Sequence, residues 1–123
     1  MMIISFFVFI TVVNGQSLMQ KGKIVHLNYQ NNENLHWHIK PDCDRVSIVS
    51  TKFDTELNFD YVTIDKVRYS GASTNVDQIV SIRSWNYQFT VSFTSNNNKS
   101  ASGFVLEWEC IYGKVHMLPD SSM

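Results

Sequence analysis

Strict alternation of apolar and polar residues constrains this chain more than any other feature. Leu35, Trp37 and Ile39 alternate with His36, His38 and Lys40. Phe89, Val91 and Phe93 repeat the pattern, and Phe104, Leu106, Trp108 and Cys110 repeat it again. Successive side chains of a strand point to opposite faces, so a period of two buries one face and wets the other. No segment after residue 15 carries a helical period of comparable length. Further strand candidates are Ile24–Tyr29, a stretch opening at Val46 and Ile48 and running to Phe53, Tyr61–Ile64, and Ile79–Ile82. Turn-forming segments separate them: Gln30–Asn34, Pro41-Asp42, Ser70–Asn75, Trp85-Asn86 and Thr94–Ser102. About eight strands with turns every 8–12 residues predict an all-β sandwich or barrel.

A chain of 123 residues suits one domain with one core. Formal net charge is -1 and no basic run exists, so nucleic acid and anionic membranes are not expected partners. Met1–Val13 is apolar apart from Ser5 and Thr11, and Val13-Asn14-Gly15 follows. This pattern predicts a signal peptide over residues 1–15, cut after Gly15, and hence a secreted, extracellular protein. The apolar run is shorter than the ~20 residues needed to span a bilayer, so stable membrane insertion is not expected. Residues 16–21 form an N-terminal segment, 22–110 the domain, and 111–123 a C-terminal tail. Two cysteines, Cys43 and Cys110, predict a disulfide in an oxidising compartment. Closing so long a loop stabilises by about 4 kcal/mol in the chain-entropy model.

Glu56 and Asp60 flank the short loop Leu57-Asn58-Phe59, and the strand Tyr61–Ile64 follows at once. Acids at strand ends can converge on a hard cation or on a partner's basic side chain. His36 and His38 share one face of a strand, as a zinc site would require, with His26 or His116 as a third ligand. Such a pair is more commonly plain solvated surface. Trp85 and Tyr87 in a turn could offer aromatic contact area. Asn98-Lys99-Ser100 is the only glycosylation sequon. No phosphate-binding Gly-rich loop, Gly-x-Ser-x-Gly or His-Glu-x-x-His occurs, and no Ser, His, Asp spacing marks a triad, so catalysis is not expected.

Taken in order, several short motifs resemble those of CUB domains. Gly22-Lys23-Ile24 with Tyr29 resembles the family's opening strand and Tyr turn, and Trp37-His38-Ile39 its Trp-x-Ile strand. Phe53-Asp54-Thr55-Glu56 and Phe59-Asp60-Tyr61-Val62-Thr63-Ile64 resemble its Phe-x-x-Glu and Tyr-Asp-x-Val-x-Ile signatures. Tyr69-Ser70-Gly71, Phe93-Thr94-Ser95-Asn96 and Gly103-Phe104 follow in the family's order. The resemblance covers roughly residues 22–110. It implies a jelly-roll-like antiparallel β-sandwich that binds extracellular proteins or glycans. It also implies a calcium site at one loop end, with Glu56 and Asp60 as acidic ligands and Asn96 and Asn98 as further oxygens. Glu56, Asp60 and Tyr29 then belong to the binding end, facing a partner with exposed Lys or Arg. The departures concern cysteine: Leu35 and Ser70 stand where the family carries half-cystines, and the loop before Asp60 has none. Cys43 and Cys110 would form a different bridge, from the start of the Val46 strand to the end of the last one. Two other roles fit the resemblance. One is the non-catalytic part of a modular extracellular protease. The other is a seminal-fluid-type carbohydrate or phospholipid binder using Trp85 or Tyr87.

Overall fold

The computed structural model describes the backbone of residues 6–13 and 16–111, and side chains from residue 20 to 111 except 84 and 85. The chain is an all-β antiparallel sandwich of two sheets. Its strands are β1 (Phe6–Val13), β2 (Gln16–Leu27), β3 (Asn34–Ile39), β4 (Arg45–Asp54), β5 (Tyr61–Ile64), β6 (Val67–Tyr69), β7 (Asp77–Ser81), β8 (Phe89–Thr94) and β9 (Gly103–Cys110). A 3-10 turn, Ile82–Trp85, connects β7 to β8. One sheet has the order β1-β2-β9-β4-β7, the other β3-β8-β5-β6. The expected leader falls partly on β1, which pairs with β2 from Phe6↔Ile24 to Val13↔Gln16. Residues 1–5, 14 and 15 lie outside the described residues, as does the expected tail beyond Ile111.

Period two carries the core. In β3, Leu35, Trp37 and Ile39 are buried while Asn34, His36 and His38 are exposed. Val62, Ile64, Phe89, Val91 and Phe93 complete the inner face of that sheet. Ile24, Val46, Ile48, Phe53, Val80, Phe104, Leu106 and Trp108 face them from the other sheet. Rings interlock at the centre: Phe93 lies 5.3 Å from Phe104 and Phe89 5.7 Å from Trp108, centroid to centroid. Burying such side chains contributes on the order of 1.5–3 kcal/mol each.

One irregularity sets up the loop end. Along β4, Val46 and Ile48 point inward at even positions, yet Phe53 points inward at an odd one. The register with β9 shifts between Ser50 and Lys52, from Ser50↔Leu106 to Lys52↔Val105. Thr51 is therefore the extra residue of a β-bulge, which exchanges the two faces of the strand. Without it Phe53 and then Thr55 would face water. The Ser50 hydroxyl ties the bulge down by accepting from the Val76 amide and donating to the Thr74 carbonyl.

Cys43 and Cys110 form the expected disulfide, closing a separation of 67 residues where Cys110 pairs with Val46. Gly103 adopts φ +95°, and a β-carbon there would run into the His26 carbonyl oxygen and approach Leu27 Cα at 2.8 Å. Only glycine fits where the start of β9 pairs with the end of β2, at Leu27↔Gly103.

Candidate binding site at the loop end

The segment Thr55–Asp60 leaves β4 and enters β5 as a tight turn. The amides of Phe59 and Asp60 both donate to the Glu56 carbonyl, at 3.3 and 3.0 Å. Asn58 takes the left-handed backbone at φ 64°, which asparagine tolerates better than most residues. Thr55 clamps the turn from inside: its hydroxyl donates to the Asp60 carbonyl and accepts from the Gly71 amide. The Thr55 amide donates to the Gly71 carbonyl, and the Asn58 amide donates to Ser70 Oγ.

Asp60 is completely buried, at 0% exposure. Its Oδ2 accepts from the Tyr29 hydroxyl at 2.6 Å, and its Oδ1 accepts from the Asn96 amide at 2.9 Å. Tyr29 is 2% exposed and bridges the two acids, because its oxygen also accepts from the Glu56 amide at 3.1 Å. Burial, the hydrogen bond to Asp60 and the charges of Asp60 and Glu56 push the Tyr29 phenol well above its ordinary value. Tyr29 therefore stays a neutral donor and positions both acids without reaching the surface.

One oxygen of the second carboxylate is unmatched among the described residues. Glu56 Oε1 is a buried oxygen without a hydrogen-bond partner. A buried carboxylate oxygen lacking a donor costs several kcal/mol unless a cation or proton answers it. Two carboxylates thus act on one phenol, and only neutral donors face Asp60.

The structure joins Asn96 to the acids through its backbone. The Asn96 amide is the donor to Asp60, whereas its side-chain Oδ1 accepts from the Asn98 amide at 3.1 Å. Asn98 is exposed. A second set of bonds braces the loop from below. Ser95 Oγ accepts from the Glu33 amide and donates to the Gln30 carbonyl, and the Asn32 amide donates to the Asn96 carbonyl. Buried Glu33 in turn holds His26 Nε2 at 2.6 Å.

Two residues of this end were missed by sequence reasoning. Leu57 and Phe59 are 61% and 58% exposed, on the three-residue loop between the acids. The available signal was the composition of that loop, two large apolar residues where a three-residue turn would ordinarily be polar.

The histidines do not assemble. His36 and His38 stack on the outer face of β3, with centroids 6.2 Å apart, and His38 Nδ1 lies 2.9 Å from Thr90 Oγ1. His26 packs against Trp37, on the opposite side of the same strand, so it cannot be their third ligand. His116 lies outside the described residues. Among the described residues no three His, Cys, Asp or Glu side chains converge. Tyr87 is exposed at the other turn, and the Trp85 side chain lies outside the described ones. A search against protein-family models and one against curated proteins each find no match to this chain.

Proposed function

We propose that this chain is a secreted, CUB-like, non-catalytic binding module. Its binding edge is the loop end formed by Glu56, Leu57, Phe59, Asp60 and Asn96. The supporting observation is the unpartnered, buried Glu56 Oε1 beside the fully buried Asp60 carboxylate. Such a pair of acids attracts a cation, and exposed Leu57 and Phe59 add apolar area around it. An aromatic side chain ringed by polar groups is the usual anchor of a protein interface. The partner that fits is an extracellular protein presenting Lys or Arg amid apolar residues.

Calcium would enter at the unpartnered Glu56 Oε1, with buried Asp60 exchanging a bond from Tyr29 or the Asn96 amide for the ion. Glu56 and Asp60 would supply carboxylate oxygens, and Asn96 and loop carbonyls would supply neutral ones. With two carboxylates the affinity belongs to the weak, extracellular range of about 10⁻⁴–10⁻³ M. Asn98 is exposed, as a glycan-bearing asparagine must be. The CUB-like reading gains support from Asn58 and Ser70. Where the resemblance places a second disulfide, the Asn58 amide donates to Ser70 Oγ at 2.9 Å, so a hydrogen bond ties the same two loops.

The test is thermal unfolding of the secreted protein with and without millimolar calcium, repeated for Glu56→Ala. Calcium should raise the melting temperature of the parent and leave Glu56→Ala unmoved. Equal responses in both proteins would remove the cation from the account. A partner-binding loss in Phe59→Ser with unchanged stability would then carry the protein-binding reading by itself.

A further inference from the structure

We infer that the outer edge of β2 is a strand-acceptor site for an extended acidic segment of a partner protein. The inference rests on the reading that residues 1–15 are removed. β1 currently lies along that edge, antiparallel, over the register Phe6↔Ile24 to Val13↔Gln16. An extended chain therefore fits there along Gln16–Ile24 of the strand. Cleavage after Gly15 takes β1 away and leaves the backbone of Lys21–Ile24 unpaired on one side. On its other side β2 remains bonded to β9 from Lys21↔Glu109 to Leu27↔Gly103. A rigid strand with one open edge is the geometry of strand addition.

Charge distinguishes a partner's strand from β1, which sets Phe9 and Phe7 opposite Lys21 and Lys23. Lys21 and Lys23 are both exposed on the outward face of β2. β9, the strand already seated on the opposite edge, places Glu109 and Glu107 at those two positions. The Lys23 ammonium reaches Glu107 at 3.7 Å, with both side chains about half exposed. A strand entering from the open edge meets the same two ammonium groups, so carboxylates at its matching positions are favoured. Two residues on, Val25 is exposed beside its β9 partner Val105 and asks for an apolar neighbour. The incoming antiparallel strand thus reads apolar-x-acid-x-acid.

The same lysines reject a second copy. Antiparallel self-pairing centred on Gly22 would set Lys21 against Lys23 twice, and like charges directly opposite destabilise a ladder. Lysine on an open edge is a common guard against such self-association.

The probe is a labelled peptide Thr-Val-Thr-Glu-Thr-Glu-Thr, titrated by fluorescence anisotropy into secreted protein whose first residue is checked by N-terminal sequencing. Saturable binding to protein beginning at Gln16 is expected, with slowed amide exchange at Lys21–Ile24. Replacing both glutamates of the peptide by lysine should weaken binding at least tenfold. The double variant Lys21→Glu, Lys23→Glu should reverse that preference. Absence of binding, equal binding of both peptides, or a dimer protected along β2 would each overturn the inference. Secreted protein that retains Met1 as its first residue would overturn the leader reading on which it rests.

Discussion

Replacing Tyr29 by Phe tests how the two acids are held. The ring keeps its place, since its packing against Phe93 (4.7 Å between centroids) needs no hydroxyl. Only one oxygen is lost, and with it two hydrogen bonds. Asp60 Oδ2 loses its 2.6 Å donor inside a residue of 0% exposure, and the Glu56 amide loses its acceptor. A hydrogen bond to a charged group contributes about 1.5–3 kcal/mol, and an orphaned buried amide costs about 1–3 kcal/mol. The expected destabilisation is about 3 kcal/mol, which in a domain of this size lowers the melting temperature by about 12 °C or more. Urea unfolding should show a reduced midpoint with an unchanged slope, because no more surface is exposed. A double-mutant cycle with Asp60→Asn should give a coupling above about 1 kcal/mol. A loss below about 0.5 kcal/mol for Tyr29→Phe, or additivity in the cycle, would refute the bridging role.

Other consequences follow from the same contacts. Tyr29 and Tyr69 are both held above the ordinary phenol value of 10.0, in each case mainly by burial. The unfolded chain releases those protons first, so stability should be whole below pH 10 and fall as pH rises beyond it. Tyr69→Phe should flatten part of that alkaline slope in a pH series of unfolding curves. Asp54 is held below its ordinary value of 3.8, chiefly by the Ser102 hydroxyl. Its contribution is therefore present above that value and lost as pH falls through the lower folded-state value. Ser102→Ala should make the acid limb of stability shallower. Gly103→Ala should cost several kcal/mol, read from the urea midpoint, since its β-carbon meets backbone and its φ is positive. Removing the bridge with Cys43→Ser and Cys110→Ser together should lower stability by about 4 kcal/mol in the chain-entropy model, read from the urea midpoint.

What the sequence showed of the fold depended on clean alternation. β3, β8 and β9 were legible because every second residue is large and apolar, and the structure buries those residues. β6 was not legible. It has three residues, and the hairpin before it turns through Asp65 and Lys66, both at positive φ. Asp-Lys does not advertise the type of turn that Asn-Gly would. The Thr51 bulge was equally silent, since the inward shift of Phe53 shows only against the β9 register. His26 faces the core instead of a surface metal, and what stabilises it there is Glu33, seven residues on. At the loop end, the motif order picked out Glu56 and Asp60. It could not show that Asp60 is buried, because that follows from Tyr29 arriving from the loop after β2.

The most direct test of the proposed binding edge is residue-resolved NMR of the purified protein during titration with calcium chloride. Saturable shifts confined to the amides of Glu56, Leu57, Phe59, Asp60 and Asn96 are the expected result, with β2 and the His36–His38 face unmoved. Amides that stay still throughout that loop end up to millimolar calcium, or shifts centred elsewhere in the sandwich, would contradict it.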